Sequence, residues 1–257
     1  MRILCLTPIK HLDGIFEHLS SFGSVDYKPD LNFGDFSNFN IEDYDVIFCN
    51  PNKQNYKLNE SILHKFNGTI LTASTGLNHI DVDYCKTNNI KVMSHTTDYE
   101  LLNELPSTSE LAFGLMLSVV RNIPRSFEDV KNNGWDYDRF MGHQLKGKTI
   151  GIVGLGRLGT MMYNYCNAFG MKTIIHDPYK GWNNLDLMLR ESDVISLHVH
   201  VTDETRGMIN KKFLTHMKKN SYIINTSRGE IVNEYDIVDA LRSGKLKGYA
   251  TDVIEDE

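Results

Sequence analysis

The chain has 257 residues, more than one small module needs and enough for one large domain or two modest ones. Hydrophobic residues make up 41% and charged residues 23%, so a core can be buried, and disorder or a collagen-like composition is excluded. A net charge of −6 argues against nucleic acid as the main partner, and no apolar run approaches the ~20 residues that span a bilayer.

The N-terminal MRILCLTPIK has an apolar run too short for a secretory signal and reads as a first strand over 2–7. Further short runs rich in β-branched residues follow at 45–49, 69–73 and 90–93, separated by amphipathic and polar segments. This is the βαβ rhythm of a parallel sheet. A boundary is expected near residue 98. After Pro106, Ser107 and Glu110 have the spacing of a capping box, and LAFGLMLSVV (111–120) is apolar almost all round, as in a helix that is buried or lies between domains. Residues 121–147 are polar and glycine-punctuated and are expected to be irregular. A second α/β unit then begins, with strands predicted at 148–153, 172–176, 193–199, 221–225 and 248–253, and helices near 157–169, 185–191, 210–217 and 234–243. The four cysteines (Cys5, Cys49, Cys85, Cys166) form no CxxC pair, so neither a metal site nor a disulfide framework is indicated, and a reducing cytoplasm is expected.

Gly154, Gly156 and Gly159 form GLGRLG directly after a predicted strand and at the opening of a helix. Three glycines alone would fit any tight turn. In this context the first permits the turn, the second lets backbone approach a pyrophosphate, and the third lets helix and strand pack closely. The helix start at Arg157 and Leu158 offers N–H groups to the phosphates. Asp177 ends the next strand at the distance where a dinucleotide fold places an acidic residue on the adenosine ribose. Alone it would be turn chemistry before Pro178. With the glycines it favours NAD over NADP, because a carboxylate there repels a 2′-phosphate.

The segments TASTGLNHIDVDYCKTNNIKV (72–92), STSELAFGLMLSVVRNIP (107–124), LKGKTIGIVGLGRLG (145–159), SDVISLHVHVTDETRGMIN (192–210), NTSRGEIVNE (225–234) and GYATDVIEDE (248–257) together resemble the D-isomer-specific 2-hydroxyacid dehydrogenases. That family includes D-lactate, glycerate, formate and D-3-phosphoglycerate dehydrogenases. The resemblance covers the chain from about residue 65 onward, and more loosely the part before.

It implies a two-domain α/β protein: a flavodoxin-like substrate-binding domain over 1–98, then a Rossmann doubly wound parallel-sheet NAD-binding domain over 99–257. It also implies a homodimer and hydride transfer between NAD and a small D-2-hydroxy acid. Arg228 matches the family's catalytic arginine, and a guanidinium can grip a carboxylate in bidentate fashion and polarise a 2-oxo oxygen. Glu257 matches the acidic partner that raises the pKa of a proton-donating histidine. Thr75 and Gly76 match the loop whose N–H groups bind the substrate carboxylate, with Asn78 beside it. Thr108, Val199, His200, Thr205, Thr226, Ser227 and Asp252 match cofactor contacts.

Two departures stand out. His200 occupies a position where the family usually has Pro, and it and His198 read as loop residues rather than proton donors. The family's catalytic histidine would lie beyond Glu257, so the C-terminal strand and return helix, roughly 60 residues, are expected to be absent. A catalytically weak NAD-binding regulatory or interaction protein of the same fold is the alternative, since fold alone does not fix function.

Overall fold

The computed structural model describes residues 1–51, 54, 56–96 and 98–255. They gather into two units, Met1–Glu104 and Leu105–Glu257.

The first unit carries strands β1 (Arg2–Cys5), β2 (Ser24–Tyr27), β3 (Val46–Cys49), β4 (Thr69–Thr72) and β5 (Lys91–Met93). Between and after them lie the short helices α1 (Ile15–Ser20), α2 (Glu60–Leu63), α3 (Val82–Thr87) and α4 (Tyr99–Asn103). All strand pairs are parallel, in the order β2-β1-β3-β4-β5, which is the flavodoxin-like order. Side chains of β1, β3 and β4 (Leu4, Ile47, Ile70) join Leu63, Phe66 and Ile80 in one core. Each such aliphatic side chain, once buried, contributes about 1.5–3 kcal/mol.

The second unit opens with α5 (Ser107–Val120) and α6 (Ile123–Lys131). It continues β6 (Thr149–Val153), α7 (Arg157–Ala168), β7 (Lys172–Asp177), β8 (Trp182–Asn183), α8 (Leu185–Glu191), β9 (Val194–Leu197), α9 (Lys211–His216), β10 (Ser221–Asn225), α10 (Glu234–Arg242) and β11 (Leu246–Thr251). The sheet order is β11-β10-β9-β6-β7-β8. Numbered within the unit this is 6-5-4-1-2-3, the Rossmann order, with the third strand reduced to two residues and running antiparallel. Period-two alternation splits β6 between two cores. Ile150 and Ile152 pack with Met116 of α5 and Met162 of α7, whereas Val153 packs with Leu189, Leu214 and Ile237 of α8, α9 and α10. Both faces are therefore covered, and β9 and β10 are buried at every residue, as parallel strands between helical layers are.

Three expectations are corrected. Ser107 does not cap α5: Pro106 is the N-cap, no side-chain cap bond forms, and Ser107 lies inside the helix. The Pro106 carbonyl already accepts the Ser109 and Glu110 N–H groups, so the Ser107–Glu110 spacing falls one residue too far along for a capping box. Nor is α5 buried all round. Ser109, Ala112, Met116 and Val120 form its buried stripe, while Leu111 is exposed. Residues 121–147 are not wholly irregular, because α6 occupies 123–131, launched by Asn122 in the left-handed region (φ 55°) and by Pro124 in the first turn.

Candidate functional site

The C-terminal ends of the second sheet gather most of the expected residues. β6 runs into Gly154, whose φ of +88° is costly for any other residue and whose hypothetical Cβ would strike the His198 carbonyl. Gly159, one turn into α7, packs so closely on the Gly154 carbonyl that it also has no room for a side chain. Gly156, the N-cap of α7, is the opposite case: a Cβ there would meet nothing. The three glycines thus divide into a turn, an open backbone approach and a packing contact.

Asp177, at the end of β7, accepts a hydrogen bond from the Leu155 N–H at 2.8 Å through Oδ2. This ties the carboxylate directly to the glycine turn. Lys180 Nζ donates to the Leu155 carbonyl at 2.5 Å, closing the same turn from the other side. Arg157 turns its guanidinium to the Leu105 carbonyl (2.7 Å), and the Leu158 carbonyl accepts from Ser109 Oγ (3.0 Å), so α5 steadies the start of α7. Thr108 lies in that first turn of α5.

The loop after β9 holds Val199, His200 and Thr205. Thr205 Oγ1 donates to the His200 carbonyl at 2.6 Å and accepts from the Thr202 N–H at 2.8 Å. Tyr179 OH donates to Glu204 at 2.7 Å, joining this loop to the one after β7. His198 is half-buried with its Nε2 2.9 Å from Ser196 Oγ, and desolvation of the ring pushes its pKa down to about 4. A neutral imidazole packed under the glycine turn fits the reading of His198 as a loop residue.

Arg228 follows β10. Asn225, fully buried at the strand end, organises the turn: its Oδ1 accepts from the Ser227 N–H (3.0 Å) and its Nδ2 donates to the Arg228 carbonyl (2.9 Å). Ser227 Oγ donates to the Leu197 carbonyl at 2.7 Å, pinning the turn to β9. Thr226 Oγ1 is buried and has no partner among the described residues, an orphan that a ligand hydroxyl or amide can satisfy. Gly229 packs directly against the backbone of Ile254 and Glu255, and Thr251 Oγ1 donates to the Asn225 carbonyl at 2.8 Å. The stretch after β11, with exposed Asp252, is thereby held beside the Arg228 turn. Glu257 lies outside the described residues.

In the first unit, Thr75, Gly76 and Asn78 lie in the loop between β4 and α3. Among the described residues nothing accepts from the Thr75 and Gly76 N–H groups, which leaves two donors for an anion. A polar network shapes the loop. Asn50 Oδ1 accepts from the Ala73 N–H (3.0 Å) and Thr72 Oγ1 (3.2 Å), and Ser74 Oγ donates to the Gly76 carbonyl (2.7 Å). Buried His79 sets its Nε2 3.2 Å from Thr72 Oγ1, and burial lowers its pKa to about 4. Among the described residues no group of three His, Cys, Asp or Glu side chains is placed to hold a metal ion.

The sequence reading missed Asn225, Gly229 and Ser109 as organisers of the site. For Asn225 a signal existed: one amide side chain ending the apolar run SYII. For Gly229 and Ser109 the partners are remote in sequence and left no local pattern.

Residues 113–257 match the family model described as D-isomer specific 2-hydroxyacid dehydrogenase, NAD binding domain. The chain is 32% identical to a D-3-phosphoglycerate dehydrogenase of Methanocaldococcus jannaschii over 100% of its own length and 49% of the relative's. It is 37% identical to a hydroxypyruvate reductase of Thermotoga maritima over 73% of this chain and 62% of the relative. The chain thus spans about half the length of the first of these and under two thirds of the second. Among solved structures, D-lactate dehydrogenase of Aquifex aeolicus, complexed with NAD and lactic acid, superposes with a TM-score of 0.81 at 30% identity, covering 100% of this chain and 78% of that one.

Proposed function

The chain belongs to the D-isomer specific 2-hydroxyacid dehydrogenase family, and from that membership we propose that it is an NAD-dependent oxidoreductase interconverting a small D-2-hydroxy acid and its 2-oxo acid. The observation that carries the reading is the convergence on one sheet edge of an open glycine turn, a carboxylate bonded to that turn and an arginine held by a buried asparagine. Relatives named glyoxylate reductase and hydroxypyruvate reductase support the substrate class.

In this reading Gly156 and the N–H groups at Arg157 and Leu158 hold the pyrophosphate, where the helix dipole favours negative charge. Asp177 accepts from the adenosine ribose. Gly154 and Gly159 shape the turn, and Thr108, Val199, His200, Thr205, Thr226, Ser227 and Asp252 complete the proposed cofactor contacts. When bound, NAD supplies the hydride donor or acceptor. Arg228 binds the substrate carboxylate and polarises the 2-oxo oxygen, and a guanidinium fits both tasks because its donors form a planar fork. Thr75 and Gly76 bind the carboxylate through their N–H groups, with Asn78 beside them. Glu257 is the proposed acidic partner of the proton-donating histidine.

A homodimer belongs to the same proposal. Ile123, Phe127 and Val130 of α6 and the following Trp135, Tyr137 and Met141 are all at least half exposed, an apolar surface that a second copy would cover. A reducing cytoplasm is the proposed location, in keeping with four buried free cysteines. Among the described residues no helix is long and apolar enough to cross a membrane.

The test is NADH consumption against hydroxypyruvate, glyoxylate, pyruvate and 3-phosphohydroxypyruvate. Turnover on one of them is expected, and Arg228→Ala is expected to lower kcat/KM by about 10²-fold or more with unchanged melting temperature. NADH binding without turnover on any oxo acid, even in a version extended to carry the proton-donating histidine, would point instead to a dinucleotide-binding regulatory protein.

A further inference from the structure

The other end of the second sheet carries a different chemistry. The N-terminal ends of β6, β9 and β10, with the last residue of α5, enclose a cavity of about 140 Å³. Its floor is apolar: Val120, Leu145, Val194 and Tyr222 line it, and none is more than 5% exposed. Its polar lining is Lys148, Lys219, Asp193, Asn220 and His143, and Lys247 Nζ stands 3.0 Å from His143 Nε2. An ammonium at that distance needs the imidazole lone pair, so Lys247 donates to a neutral His143. Lys247 and burial lower the His143 pKa accordingly, and Lys148 adds to the effect while Asp193 opposes it.

The carboxylate that lines the cavity, Asp193, is already engaged. It accepts from Lys218 Nζ at 2.8 Å and from the Thr149 N–H at 2.9 Å, and stands 4.0 Å from Lys148. Lys148 and Lys218 therefore share one satisfied acid, while Lys219 lines the same cavity and Lys247 reaches its His143, in a chain whose net charge is −6. Such crowding of like charge at a partly enclosed apolar cavity is relieved when an anion enters, because the low dielectric strengthens each attraction.

We propose that this cavity binds a small organic anion. Its carboxylate or phosphate head is held by Lys148, Lys219 and the Lys247–His143 pair, and its short hydrocarbon end lies on Val120, Leu145, Val194 and Tyr222. The site is distinct from the proposed dinucleotide and substrate site, because parallel strands put the two at opposite ends of one sheet. It does not depend on the chain being a dehydrogenase.

The experiment is an NMR titration of the full chain, following the His143 ring protons, with sodium butyrate, propyl phosphate and inorganic phosphate as probes. A saturable shift of His143 is expected with a tailed probe, and weaker binding with inorganic phosphate. Whichever tailed probe binds more tightly identifies the head group. The double variant Lys148→Gln/Lys219→Gln is expected to weaken binding at least about tenfold while keeping the wild-type melting temperature. Arg228→Ala is expected to leave it unchanged. No saturable shift with any probe would overturn the proposal, as would equal affinity in the double lysine variant or loss of binding in Arg228→Ala. Inorganic phosphate binding as tightly as the tailed probes would remove the apolar floor from it.

Discussion

Gly154 and Gly156 stand two positions apart and answer to different constraints, and substitution separates them. At Gly154 an L side chain must adopt φ +88° and push against the His198 carbonyl, so Gly154→Ala is expected to cost at least about 1–3 kcal/mol in urea unfolding. At Gly156 the backbone is ordinary (φ −69°) and the space open, so Gly156→Ala is expected to change stability by less than about 1 kcal/mol. Its effect should appear instead as weaker NADH binding in a fluorescence titration. Equal stability losses in the two variants would contradict the division of roles. The motif itself was legible in the sequence because all its parts are local. Asn225 showed only as an amide ending an apolar run; its role as an organiser comes from a turn that folds back on it and from a contact with β11, neither of which leaves a periodic trace.

The helices α7 to α10 lie within a residue or so of where the apolar period put them, and β6, β7, β9 and β10 likewise follow their β-branched runs. Missed were β2, whose SVDY is short, partly polar and only partly buried, and β8, whose two residues are too few for any period. The Ser107–Glu110 spacing misled because spacing alone does not say which residue is the N-cap. α5 matters to the site through its buried stripe, which packs on the sheet and lends Ser109 to the Leu158 carbonyl. Met116, fully buried in that stripe, is expected to cost about 2–5 kcal/mol when cut to Ala, read from the urea midpoint. A loss below about 0.5 kcal/mol would mean that α5 does not share the core of the second unit.

Each unit holds a neutral histidine, buried His79 in the first and half-buried His198 in the second, and desolvation holds each near pKa 4. In the unfolded chain these groups titrate near 6.5, so between about pH 6.5 and about pH 4 the unfolded state binds more protons. Stability is therefore expected to be complete above that window and to fall as pH drops through it. Urea midpoints at about pH 7, 6 and 5 should decline in that order, and a flat profile would contradict the buried neutral assignment. The parallel α/β character followed from the rhythm of apolar runs and the flavodoxin-like and Rossmann plans from the family resemblance, whereas the basic cavity at the far end of the second sheet followed from neither. Its residues (Val120, His143, Lys148, Asp193, Lys219) come from five separate stretches and meet only in the fold. The glycine turn and Asp177 together form the proposed dinucleotide-binding edge. The most direct measurement is the affinity of this chain for NADH and for NADPH side by side. Saturable NADH binding with NADPH at least about tenfold weaker is the expected result, since the Asp177 carboxylate repels a 2′-phosphate. Binding of neither, or equal binding of both, would contradict it.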